Sequence, residues 1–305
     1  MKYSKPPLSI QDQINLWKSR GLIVPDEIEA SHYLENVGYY RISGYTLPFQ
    51  QKTGVHPHQF KPSTQFNDIL NIYRFDCNLR ALVMVAIEKI ELSFRTRFSN
   101  TMAIKYNDPF WYMRKDIFED GFNHANFLQQ VAEDTGNPAF PNNASKGMDV
   151  FLKHFYSTYS DPKLPPSRMI VEVTSFSTWC RIFPFLKLRS DKKEIADKFQ
   201  LPWQTLASWV HAASHVRNIC AHHGRLWNRE FTITPTFESH PKFGVKDNTR
   251  FYAQSVVLGY FMKQVSAKMH WGQSLLALIK NHHFIDPKAM GFPPWAENAV
   301  WFYEI

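Results

Sequence analysis

The chain has 305 residues, enough for one large domain or two ordinary ones, and its 44 % hydrophobic and 20 % charged residues exclude a disordered polymer. A formal net charge of +8 draws polyanions, and nucleic acid is the partner class this points to, although many basic proteins bind nothing anionic. Three scattered cysteines, Cys77, Cys180 and Cys220, form neither a disulfide framework nor a zinc pattern, so a reducing compartment is expected.

In chain order, residues 8–49 read as short helices around turns. Ser9 is placed to cap the helix IQDQINLWKSR, which Gly21 stops. A second helix, EIEASHYLENVG, follows Pro25 and Asp26 and ends at Gly38. The pair could be a DNA-binding helix-turn-helix or a plain helical hairpin, and the hairpin is the favoured reading. YYRISGY follows, then a polar loop over 51–63. From Phe66 onward apolar residues recur at helical spacing, and neither Gly nor Pro interrupts 65–107, so one long helix or two collinear ones is expected before Asp108-Pro109.

Loops are read over 134–147 and 161–166. Ser167 is expected to cap a helix through MIVEVTSFSTWCRIF that breaks near Pro184. RSDKKEIADKF is a short amphipathic helix, and Pro202 opens a helix over roughly 203–222 at its first turn. A Pro- and His-containing loop over 232–247 precedes a C-terminal helix over 250–278 and the aromatic tail MGFPPWAENAVWF. FTITPTF is the best strand candidate and contains Pro235, so the fold class expected is all-α. No apolar run reaches the ~20 residues of a membrane span, and the first residues lack a signal-peptide core. A cytoplasmic location is therefore expected.

The helix over 203–222 and the residues after it, WVHAASHVRNICAHHGRLWNRE, carry unusual polarity. At about 100° per residue, His211, His215, Asn218 and His222 share a stripe, while Arg217 falls among Val210, Ala213 and Cys220. A guanidinium on an apolar face is costly unless paired, and Glu88, Glu91 or Glu172 could supply the carboxylate. On an ideal helix Arg217 and His222 point about 140° apart, so either the helix ends near Ala221, or Arg217 arches round, or Arg217 is structural. Glu91 could equally pair with Arg95 four residues on. The spacing of His211, His215 and His222 would suit a metal, but no carboxylate accompanies them in the helix, and no metal is expected. Without a P-loop, G-x-S-x-G or G-x-G-x-x-G, neither a serine hydrolase nor a nucleotide cofactor is expected, and no cofactor at all is assigned. Basic residues between Arg181 and Lys198 read as a solvated face.

The string Arg217-Asn218-Ile219-Cys220-Ala221-His222 resembles the signature of HEPN ribonucleases, an Arg, a polar residue, and a His four to six positions beyond the Arg. RNICAHHGRLWN, with YLENVGYYRISGY, IYRFDCNLRALVMVAIEKIELSFRTR, VEVTSFSTW and MGFPPW in order, is similar to the Abi-like (AbiD/AbiF-type) abortive-infection proteins over nearly the whole chain. The departure is His215, where Asn is commoner. The resemblance implies a HEPN-like helical bundle over 61–305 with a C-terminal extension, behind an N-terminal helical region over 1–60. It implies a homodimer that cuts RNA without metal, the 2′-hydroxyl attacking the adjacent phosphate to leave a 2′,3′-cyclic phosphate. It further implies a phage-defence toxin restrained by an antitoxin protein or a small RNA. Within it His222 would move protons, Arg217 would stabilise phosphate charge, and Asn218 would orient the phosphate or the imidazole. His215, His223, Arg225 and Arg229 would bind RNA. The rival readings are a non-catalytic RNA-binding scaffold and a DNA-binding regulator acting through residues 8–38.

Overall fold

The structure, a computed structural model, describes residues 6–51, 58–137, 148–237, 243–266, 268 and 270–294. Parts of the loops expected over 51–63, 134–147 and 232–247, and the tail beyond Pro294, lie outside the described residues. Among those described there are twelve α-helices and no strand, so the protein is all-α. FTITPTF forms no strand. The chain divides into two compact units, residues 1–79 with 278–285, and residues 80–277 with 286–305.

In the first unit, α1 (Ile10–Ser19) begins where the Ser9 hydroxyl accepts the Asp12 N–H, and α2 (Glu27–Asn36) where the Asp26 carboxylate accepts the Glu29 N–H. Such caps contribute about 1 kcal/mol each. α1 and α2 pack as a pair, tied by Lys18 and Gln11 to Glu27. α3 (Tyr39–Ser43) follows Gly38, whose φ of 91° suits glycine. The core is aromatic, with Trp17 stacked on Tyr39 at 4.8 Å and the buried Tyr45 hydroxyl donating to Asp76 Oδ2 at 2.7 Å.

α4 (Phe66–Tyr106) is a single unbroken helix of 41 residues, roughly 60 Å long at the usual rise. Phe75, Leu79, Val83, Ala86, Ile87, Ile90, Phe94 and Phe98 are buried on one stripe, which accounts for the periodicity in the sequence. It stops at Asn107, which is left-handed at φ 47°, with the Asp108 N–H bonded back to Ala103 O.

In the second unit Phe94 and Phe98 meet Trp111, Trp179, Phe183 and Phe199 in a continuous ring cluster. α5 (His124–Asp134) and α6 (Val150–Thr158) precede α7 (Ser167–Val173) and α8 (Phe176–Ile182). Two expectations need correcting here. Ser167 lies inside α7, whose N-cap is Pro166, and the break falls at Thr174–Ser175 rather than only near Pro184. Ser175 caps α8 through the Thr178 N–H, while the Thr174 hydroxyl accepts from Trp179 Nε1 at 2.8 Å, so a hydrogen-bonded corner replaces a continuous helix. α9 (Arg189–Asp197) leads to α10 (Trp203–Ala221), for which Pro202 is the N-cap. The helix expected over 250–278 is two helices, α11 (Phe251–Val265) and α12 (Trp271–Lys280), because the chain leaves helical geometry at Ser266 (φ −156°, ψ 61°). α10 packs against α8, α9 and α11, burying Leu206, Trp209, Val210, Ala213 and Val216.

Candidate functional site

α10 fixes the site because its buried face is fully committed to the core and its opposite face is not. On the other face His211, His215 and Asn218, with the buried Ser214 beside them, line a cleft of about 550 Å³ whose other wall includes Ser177, Cys180 and Arg181 of α8. Arg181 was read from the sequence as part of a solvated basic face. It belongs to α8 and is exposed, as that reading expects, and it also lines this cleft, donating to Gln130 Oε1 at 2.6 Å. Burial pushes the Cys180 thiol well up, so it is a neutral wall of the cleft rather than a nucleophile.

The His215 imidazole is held below its ordinary value, chiefly by burial and further by the Arg229 and His211 charges. It is therefore neutral at pH 7, able to accept a proton or a hydrogen bond. Its Nε2 lies 3.5 Å from the Thr232 hydroxyl. The same repulsion puts Arg229 electrostatically next to the cleft without being part of its lining.

The stripe read from helical spacing is interrupted at its end. α10 stops at Ala221, and His222 is its C-cap at φ −92°, ψ 16°. His223 then adopts the left-handed region at φ 57°. Its N–H bonds to Cys220 O at 2.9 Å, and the Gly224 N–H bonds to Ile219 O at 2.7 Å. This pair of bonds is the Schellman ending, usually built on glycine at the position His223 holds. Gly224 is required for a different reason, since a Cβ there would lie 2.9 Å from Ile219 Cγ2 and 3.1 Å from Ile219 O. Of the three possibilities for Arg217 and His222, the structure shows the helix ending at Ala221 and also a carboxylate, Glu91, 3.8 Å from Arg217 Nε. Both imidazoles are exposed at that end and line neither wall of the cleft.

Arg217 is neither buried nor free. Its side chain is 39 % exposed, with Nε 3.8 Å from Glu91 Oε2, and its Nη1 reaches Asn218 Oδ1 at 3.4 Å. Glu91 also meets Arg95 Nη1 at 3.4 Å, and Arg95 donates to Thr174 O at 2.7 Å. Both pairings considered for Glu91 from the sequence thus occur together, one carboxylate meeting two arginines. Asn218 joins the two parts, bonded to Arg217 and lining the cleft.

After Gly224 the loop is anchored by buried Leu226, Trp227 and Phe231. Between these anchors Arg225 lies over the Trp227 ring at 5.9 Å, and Arg229 Nη1 donates to Arg225 O at 3.3 Å. The site residues therefore lie apart from one another: His215 and Asn218 in the cleft, Arg217 against Glu91 and Asn218, His222 and His223 exposed at the helix end, and Arg225 with Arg229 on the following loop. Sequence reasoning did not assign Arg181, Ser177 or Ser214 to the site; no local pattern marks the first two, because α8 reaches α10 only through the fold, whereas Ser214 lies at helical spacing from His211 and Asn218 on α10 itself. Among the described residues no group of three or more His, Cys, Asp or Glu is spaced to hold a metal ion, and no helix is long and apolar enough to cross a membrane.

A model of a protein family, described as Abi-like protein, matches residues 32–228, more than half of the chain. No curated protein and no solved structure matches. The matched segment contains α4, α8, α10, the Arg217-Asn218 pair and both exposed imidazoles, and the chain belongs to the Abi-like protein family.

Proposed function

We propose that the protein is a metal-independent endoribonuclease of the HEPN type, acting as an abortive-infection toxin in phage defence. The observation that carries this reading is the end of α10, where Arg217, Asn218, His222 and His223 occur within seven residues and the two imidazoles are exposed. An imidazole exchanges protons near neutral pH, which in-line attack by a 2′-hydroxyl requires twice, once at the nucleophile and once at the leaving 5′-oxygen. His222 takes one of these roles and His223 the other or a phosphate contact. Arg217 neutralises the non-bridging oxygens as charge builds in the transition state, and Asn218 orients the phosphate. The strand enters past His215, Arg225 and Arg229, and its product ends in a 2′,3′-cyclic phosphate. Two copies of the chain would bring two such sets to one substrate, and an antitoxin protein or a small RNA would hold the enzyme silent before infection.

A non-catalytic RNA-binding scaffold is the second reading. The Glu91–Arg217 contact favours it, because it gives Arg217 a structural task.

Incubation of the purified protein with total RNA in EDTA, followed by end-group mapping, separates the two. The nuclease reading expects 2′,3′-cyclic phosphate ends, lost by about 10²-fold or more in His222→Ala and by about 10²–10³-fold in Arg217→Ala. Intact RNA with undiminished RNA binding by the wild-type protein would leave only the scaffold.

A further inference from the structure

A second cleft, of about 790 Å³, shares no lining residue with the first. Its polar lining is Asn228, Lys246, Asp247, Arg250 and Lys288, and its apolar wall is the stretch Gly291–Pro294. That wall is the MGFPP part of the sequence motif to which the candidate nuclease chemistry gives no task. It is pressed onto the start of α11. Gly291 is left-handed at φ +87°, and a Cβ there would lie 2.5 Å from Arg250 Cβ, so the chain can pass only as glycine. Phe292 is buried against Tyr252 at 5.1 Å and locks the wall in place.

The charges are not balanced within the cleft. Three cations face one carboxylate, and that carboxylate is already committed. Asp247 lies 3.4 Å from Arg250 Nε and accepts from both the Thr249 N–H and hydroxyl. Lys246 and Lys288 are exposed, and neither has a carboxylate within ion-pair distance among the described residues. Arg250 is also the N-cap of α11, a helix of 15 residues with no side-chain cap, so the dipole adds to the positive potential. The volume lies within the ~300–1,000 Å³ of small-molecule pockets.

We propose that this cleft binds the phosphate of a nucleotide, with Lys246, Arg250 and Lys288 as ligands to its oxygens. The nucleotide is either part of an RNA strand or free in solution; the chemistry is shared. The cleft is connected to the candidate site by one loop, for Asn228 lines it and the next residue, Arg229, acts on His215. The proposal does not depend on the nuclease reading and holds for a scaffold as well.

The test uses the full chain carrying His222→Ala, so that RNA stays intact. Binding of a labelled 12-nucleotide single-stranded RNA is followed by fluorescence anisotropy, and binding of AMP by calorimetry. Lys246→Ala with Lys288→Ala should weaken at least one ligand about tenfold or more and, for RNA, reduce the slope of log K against log salt by about 1–2. Both lysines are exposed, so the thermal midpoint should not change. Loss confined to RNA identifies a strand, and loss confined to AMP identifies a free nucleotide. A control pair, Lys153→Ala with Lys187→Ala, removes the same charge from exposed positions outside the cleft. Unchanged binding of both ligands in the cleft variant, or an equal loss in the control, overturns the proposal.

Discussion

His223 holds a backbone conformation in which an L-residue with a bulky side chain costs about 1 kcal/mol relative to glycine. Elsewhere the chain fills the equivalent helix-ending position with Gly21 after α1, Gly136 after α5 and Asn107 after α4, which suit it, and with Gln200 after α9, which carries the same strain as His223. Substitution His223→Gly is expected to stabilise the protein by roughly 0.5–1 kcal/mol, read from urea denaturation. The same variant should cleave RNA at least tenfold more slowly if the imidazole acts on substrate. A gain in stability with unchanged cleavage would remove His223 from the site. The spacing of polar residues on α10 was legible from the sequence, because a helix repeats every 3.6 residues. The left-handed turn at 223 was not, since a histidine, unlike glycine or asparagine, does not announce one.

At the level of elements, Glu91 of α4 ties α10 to the α7–α8 corner, taking Arg217 on one side and Arg95 on the other, while Arg95 reaches Thr174 O. The glutamate side chain is 15 % exposed and Arg95 14 %, so its removal leaves the part-buried Arg95 without its carboxylate, while Arg217, 39 % exposed, is screened by water. Glu91→Leu is expected to lower stability by about 1–3 kcal/mol, measured by chemical denaturation. In a Glu91→Leu, Arg217→Leu double variant part of that loss should return. Additive losses would show that the 3.8 Å contact carries no coupling. The elements themselves were largely readable. Ser9 and the Gly21 stop define α1, and the absence of Gly and Pro over 65–107 defines α4. The errors came where tertiary hydrogen bonds decide. Trp179 Nε1 bonded to Thr174 turns the α7–α8 corner, and the backbone at Ser266 separates α11 from α12, with neither glycine nor proline at the break. Likewise, Glu91 and Arg217 are 126 positions apart, and sequence spacing could nominate Glu91 only beside Glu88 and Glu172.

For the whole molecule, the surplus of +8 makes association with RNA a matter of counterion release, so affinity should fall steeply with salt. If Arg217, Arg225, Arg229 and the second cleft each neutralise a phosphate, log K should drop with log salt at a slope of about −3 or steeper for a single strand. Anisotropy titrations between 50 and 300 mM salt would measure this, and a slope near zero would remove RNA as the partner the charge selects. Composition alone points to a polyanion; where the anion would sit depends on which cations the fold leaves without carboxylates, and Lys246 and Lys288 are 42 positions apart in the chain.

The ending of α10 also has a bearing on descent. Wherever a relative has lost any need for the imidazole at the place of His223, mutation to glycine relieves backbone strain at no chemical cost, and drift should favour it. Glycine at that place in a related chain would then mark a lineage released from selection on that side chain, while a retained histidine would mark one still held to it.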